Sequence, residues 1–155
     1  EGGQLKSTVF SCSEAMCTWM RVHGGTGAPK VRLRPDFARS NVAYAFTDHH
    51  LYRSSDVWGF SRIETPWPAE SRFRDLALVG SGDTLFAAVH AIADAEEGLY
   101  RSDDGGATWS RVRSPLFRQG AASISIADGR MLVSLPDKGL ACSSDGGRRW
   151  SRRCA

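Results

Sequence analysis

The sequence predicts an all-β chain assembled from four-stranded antiparallel blades, and three observations lead there. A turn-rich segment recurs along the 155 residues at a nearly constant step. The stretches between its copies read as short strands and turns, without a helical period. Gly and Asp-Gly marks punctuate those stretches at strand-length intervals.

The clearest copy runs from Leu99 through Ser102, Asp104, Gly106, Thr108 and Trp109 to Val112. A second runs from Leu140 through Ser143, Asp145, Gly147 and Trp150. A third, from Leu51 to Ile63, keeps Ser54 and Asp56, loses one residue in the turn and places Phe60 where the tryptophan stood. A fourth, from Val9 to Val22, is worn, with Cys12, Glu14 and Trp19 at the key positions. The copies start at 9, 51, 99 and 140, so the steps are 42, 48 and 41 residues. A step of roughly 40–50 residues is one four-stranded propeller blade.

The intervening elements follow. The second unit reads as strands 31–34, 41–47, 50–54 and 60–64. The third reads as 75–80, 84–90, 98–102 and 108–113, with a turn at Ser81-Gly82-Asp83. The last reads as 121–127, 131–135, 139–143 and 149–153, with a turn at Asp128-Gly129-Arg130. The first unit has room only for an outer hairpin. Residues 1–155 therefore form one domain of about three and a half blades, bounded at 1–25, 26–66, 67–115 and 116–155. Closed propellers have at least about four blades, and an open arc exposes strand edges. Three expectations follow: a fragment of a longer propeller, closure by another chain or missing segment, or a four-bladed variant with a truncated first blade. The first two are favoured, and the start at Glu1 fits a processed or trimmed product.

The pattern Ser-x-Asp-x-Gly-x-Thr-Trp resembles the Asp-box, or BNR repeat, carried by sialidases, sortilin-type receptors, oligoxyloglucan hydrolases and the photosystem II assembly factor. The resemblance implies a β-propeller with the box as the hairpin turn between the third and fourth strands. Chemistry supports structural roles for Ser54, Asp56, Ser102, Asp104, Gly106, Trp109, Ser143, Asp145, Gly147 and Trp150. The carboxylate accepts turn N–H groups, the glycine permits positive φ, and the tryptophan covers the turn. Asp103-Asp104-Gly105 lacks the ligand ladder and closing Glu of a calcium loop.

Composition narrows the function classes. Apolar residues are 41% and charged residues 24%, ordinary for a globular domain. The net charge of +3 is mild, below the basic stripe of a nucleic-acid binder. No run approaches the roughly 18 apolar residues of a membrane span. The four cysteines fall into two local pairs, Cys12 with Cys17 and Cys142 with Cys154. Each pair flanks a predicted hairpin turn, where cross-strand neighbours approach disulfide range. Two such bonds imply a secreted or periplasmic protein; buried free thiols are the alternative, and Cys12-x4-Cys17 has no second ligand pair for zinc.

By fold analogy, ligands bind at the face carrying the fourth-to-first and second-to-third strand loops, opposite the box turns. Those loops are 23–30, 65–72 and 114–120, and 48–50, 91–97 and 137–138. Candidate ligand-binding residues there are Trp67, held between Pro66 and Pro68 as a rigid aromatic for sugar or protein; His49 and His50; and Arg32, Arg34, Arg72 and Arg74 along inner strands, fit for an anionic ligand. The competing readings are a buried loop residue for Trp67, a solvated turn for the histidines and inter-blade salt bridges for the arginines. Gly24-Gly25-Thr26-Gly27 lacks the Lys-Ser/Thr of a phosphate loop and reads as an inter-blade connection.

The expected function is therefore a non-enzymatic, extracytoplasmic binding or assembly propeller that recognises a protein or glycan through its loop face. No metal, cofactor or catalytic residue is expected. The alternative is a fragment or divergent member of a sialidase-like glycoside hydrolase. That resemblance implies an Arg-Ile-Pro motif, an arginine triad and a Tyr with a Glu partner. Here Arg62-Ile63 is followed by Glu64, and Tyr52 and Tyr100 hold equivalent repeat positions. Glycoside hydrolysis needs two carboxylates astride the bond, and nothing in the sequence pairs Asp36, Asp48, Glu64 or Glu70.

Overall fold

The computed structural model describes residues 7–13, 16–22, 29–56, 59–90, 96–136 and 139–154, the first two segments as backbone. The chain is all-β, with strands in antiparallel sheets. An initial hairpin, β1 (Ser7–Ser13) and β2 (Met16–Val22), comes first. Blade A follows as β3 (Lys30–Leu33), β4 (Ala43–Phe46), β5 (Leu51–Ser54) and β6 (Ser61–Ile63). Blade B holds β7 (Arg72–Val79), β8 (Thr84–His90), β9 (Gly98–Ser102) and β10 (Ser110–Arg111). Blade C holds β11 (Ser123–Ala127), β12 (Arg130–Ser134) and β13 (Leu140–Ser143).

Each blade is a meander, so sequence neighbours pair and the first strand lies at one edge. The fourth strand expected at 149–153 in blade C is reduced to a single bridge, Cys142 with Ser151. The disulfide Cys142–Cys154 ties the chain down just beyond it, with Cα atoms 5.5 Å apart. In the first hairpin, Cys12 stands opposite Cys17 and Ser13 opposite Met16. The turn predicted from the worn fourth copy falls on residues 14 and 15, which lie outside the described residues. The side chains of Cys12 and Cys17 lie outside the described residues, as do the loop segments 23–28, 91–95 and 137–138.

A one-turn helix that the pattern did not suggest, α1 (Phe37–Ser40), interrupts the first turn of blade A. Asn41 closes it in the left-handed region at φ 53°, a conformation asparagine tolerates well. The Ser40 hydroxyl donates to Asp36 Oδ1 at 2.9 Å.

Blades stack through two apolar interfaces. Tyr44, Phe46 and Leu51 of blade A face Leu85, Val89 and Tyr100 of blade B. Phe86, Ala88 and Leu99 of blade B face Met131, Val133 and Ala141 of blade C. A period of two explains the arrangement: alternate residues of each central strand look forward to the next blade or back to the previous one. Both central strands are consequently apolar on both sides.

Candidate functional site

The inner strands β3, β7 and β11 lie side by side, joined across blades by polar ties. Arg32 Nε donates to Leu76 O at 3.1 Å, and Arg32 Nη2 meets Asp75 Oδ1 at 2.8 Å. The other Asp75 oxygen accepts the backbone N–H of Ile124 at 2.9 Å. A single buried carboxylate thus clasps three consecutive inner strands. It is the one acidic residue in the run Arg72–Val79, and a register shift between Phe73 and Asp75 turns it toward the neighbours. The sequence reading missed it; a lone carboxylate in an apolar strand was the available signal.

The box segments fold as tight, self-satisfied turns. Ser102 Oγ donates to Asp104 Oδ1 at 2.7 Å and accepts from Gly106 N at 2.8 Å. Asp104 accepts from the Thr108 hydroxyl and, at 2.9 Å, from Thr108 N. These donors hold its carboxyl at about 2, below the ordinary 3.8, with the Thr108 hydroxyl the largest cause. Trp109 Nε1 closes the turn on Gly106 O at 3.0 Å. Ser143, Asp145, Gly147 and Trp150 repeat this, with Gly147 N on Ser143 Oγ at 2.9 Å and Trp150 Nε1 on Gly147 O at 3.0 Å. The Arg149 backbone N–H is the main cause that lowers the Asp145 pKa. Ser54 and Asp56 keep the hydroxyl–carboxylate bond at 3.2 Å, and Gly59 N donates to Asp56 at 3.0 Å. Phe60 packs on Ala45 and Tyr52.

At the opposite ends of the blades, Trp67 is only 5% exposed. It is a wedge between blades, stacked on Phe73 at 5.6 Å and edge-on to Trp109 at 5.4 Å. An exposed sugar platform at Trp67 is therefore corrected: the indole packs into the inter-blade gap, where the burial of its large apolar area outweighs exposure. Phe117 is the corresponding wedge of the following blade, edge-on to Trp150 at 5.0 Å.

The four arginines divide. Arg34 lies at the box-side end of β3, bound to Asp36 at 2.8 Å and Asp83 at 3.0 Å. Arg32 is the clasp partner described above. Both serve as ties, with the second pair linking blade A to blade B. Arg72 and Arg74 are exposed at the loop-side end of β7 and have no ion-pair partner among the described residues. Lys30, which the sequence reading also missed, joins them by donating from Nζ to Arg74 O at 3.3 Å.

The loop holding His49 and His50 is pinned beside them. Thr47 Oγ1 accepts from both histidine N–H groups, Phe73 N donates to Asp48 O at 2.6 Å, and His49 Nδ1 lies 3.1 Å from Ser71 O. Burial, then the charge of Arg62, lowers the His50 pKa. The histidines bring in no metal-binding group among the described residues. His90, opposite Arg72 in the sheet, holds the buried Glu97 at 2.8 Å. The loop face thus presents Lys30, Arg72 and Arg74 on a fixed frame, and such a frame can grip carboxylates.

No protein-family model matches the chain, and no curated protein matches it. Solved structures do. The structure of YCF48 bound to D1 peptide aligns with a TM-score of 0.55 at 13% identity, covering 79% of this chain and 43% of that one. The GH74 xyloglucanase from Xanthomonas campestris aligns at 0.52 and 23% identity, covering 78% of this chain and 22% of that one. The GH74 enzyme from Niastella koreensis aligns at 0.52 and 16% identity, covering 86% and 19%. This chain spans less than half the length of each. Their likeness extends to the fold, and with the stacked blades seen here it makes this chain an arc of a β-propeller.

Proposed function

We propose that this chain is a non-enzymatic binding or assembly propeller, working outside the cytoplasm, that holds an acidic protein segment against its loop face. The observation that carries this reading is the exposed set Lys30, Arg72 and Arg74 beside the pinned loop 47–50. Arginine stays charged at any working pH and grips carboxylates in bidentate fashion. The box turns, by contrast, have spent their polar groups on themselves, which supports reading them as structural Asp-boxes. A propeller neighbour that holds a peptide supports a protein ligand. The disulfide Cys142–Cys154 supports an oxidising compartment, and no helix among the described residues is long and apolar enough to cross a membrane.

The test is fluorescence anisotropy with a labelled, glutamate-rich peptide, using the chain and its Arg72→Ala/Arg74→Ala double variant. The double variant weakens binding by about tenfold or more, each tenfold being about 1.4 kcal/mol. Affinity also falls with added salt. Equal affinity in the two proteins, or turnover of a fluorogenic sialoside or xyloglucan oligosaccharide by the chain, contradicts the reading.

A further inference from the structure

The forward face of blade C repeats a surface that is covered twice elsewhere in the chain. The registers superpose Ala43–Ser54, Leu85–Ser102 and Met131–Ser143 as equivalent cross-strand pairs. By that alignment Tyr44, Phe86 and Leu132 share one position, and Leu51, Leu99 and Leu140 share another. In blades A and B all four side chains are at most 1% exposed; in blade C, Leu132 is 39% and Leu140 48% exposed. The two leucines sit on one side of the sheet, since Leu132 pairs with Cys142 and Cys142 follows Leu140 by two residues. They line a groove of about 970 Å³ shared with Trp150, whose rim carries Arg130, Arg149 and Arg153 beside Asp128 and Asp145.

What covers the equivalent positions is the glycine turn of the next blade. The Tyr44 hydroxyl donates to Gly105 O at 3.1 Å. The Phe86 ring lies so close under Gly147 that a Cβ there would come within 2.3 Å of it. Each forward face therefore takes a Ser-x-Asp-Gly-Gly turn whose glycines stand at positive φ, and at Gly147 no side chain fits the approach.

We infer that the forward face of blade C docks a further blade of the same build, whose Asp-Gly-Gly turn seats over Leu132 and whose back face covers Leu140. The argument is continuity: the same interface occurs twice within the chain, and the third copy keeps its apolar residues. The rim mixes three arginines with two aspartates, so apolar cover and the glycine turn, rather than one sign of charge, select the incoming blade. The chain's own early units lack the required turn. Asp56 is followed by Val57-Trp58 where the other turns have Gly-Gly, and the first unit has Ala15-Met16 after Glu14.

The experiment compares the full chain with the chain extended at its C-terminus by a second copy of residues 114–155. Hydrogen exchange at 130–134 and 140–143 and binding of an apolar dye are the readouts. The extension slows exchange in those strands by about tenfold or more and suppresses dye binding. Leu132→Asp cancels both effects of the extension and lowers the melting temperature of the unextended chain far less than that of the extended one, because Leu132 is 39% exposed in the former and the residual cost there is that of a poor strand former. A Gly→Val change at the second glycine of the appended turn cancels both effects as well. Three results overturn the inference. In one, Leu132→Asp lowers the melting temperature of the unextended chain as much as that of the extended one, which means that a second copy or the first hairpin already covers the face. In another, the unextended chain already binds no apolar dye. In the third, the extended chain is folded but no better protected there.

Discussion

The two ends of the blades are built on opposite terms. At the box end, the polar side chains of Ser102, Asp104 and Thr108 answer one another and the turn backbone. At the loop end, the frame is equally firm, yet Arg72 and Arg74 extend from it with no ion-pair partner among the described residues. The contrast teaches where to look for function in a repeat protein. Repetition itself marks architecture, because every blade must solve the same turn and the same stacking problem. Function sits where the repeat is broken, and the cations of the loop end occur in β3 and β7 without counterparts at the start of β11.

The largest expected effect sharpens the architectural half. Trp67→Ala removes a wedge buried against Phe73, Tyr100 and Trp109. It should cost about 3–5 kcal/mol, read by chemical denaturation. Next, Gly147→Ala places a methyl group into the Phe86 ring at a backbone φ of 82°. The strain and overlap should cost about 2–3 kcal/mol. If Gly147→Ala proved neutral, the box turn would not be seated on the preceding blade as described.

Much of this was legible in sequence. The steps between boxes located β5, β9 and β13 to within a residue, since the Ser-x-Asp turn they share fixes the hairpin locally. What escaped depended on partners distant in sequence. Trp67 looks like an exposed aromatic until blade B closes over it. Arg32 and Arg34 look like ligands until Asp75 and Asp83 arrive from the next blade. Lys30 was hidden because a loop boundary gives no sign of which cation ends up beside Arg74. The short helix α1 was missed because four residues carry no period.

Smaller effects follow. Asp75→Ala leaves Arg32 Nη2 and the N–H groups of Leu76 and Ile124 without their acceptor. It should cost about 1–3 kcal/mol, and loosened exchange protection on β11 as well as β3 would sharpen the clasp. The box carboxylates predict an acid limb. Asp104 titrates at about 2 when folded and near 3.8 when unfolded. Its contribution is therefore present above pH 3.8 and is lost as pH falls from there toward 2; Asp145, also depressed, adds in the same direction. A thermal-melt series from pH 6 to pH 2 should fall in that window and flatten for Asp104→Asn. The smallest change is that of Arg72→Ala/Arg74→Ala on stability, within about 0.5 kcal/mol, since neither side chain holds the frame.

The division between an architectural end and a binding end is tested most directly by hydrogen-exchange footprinting of the full chain with the glutamate-rich peptide. The account predicts slowed exchange at 47–50 and 71–74, with residues 102–109 and 143–150 unchanged. Protection confined to the box turns, with the loop end untouched, would contradict it.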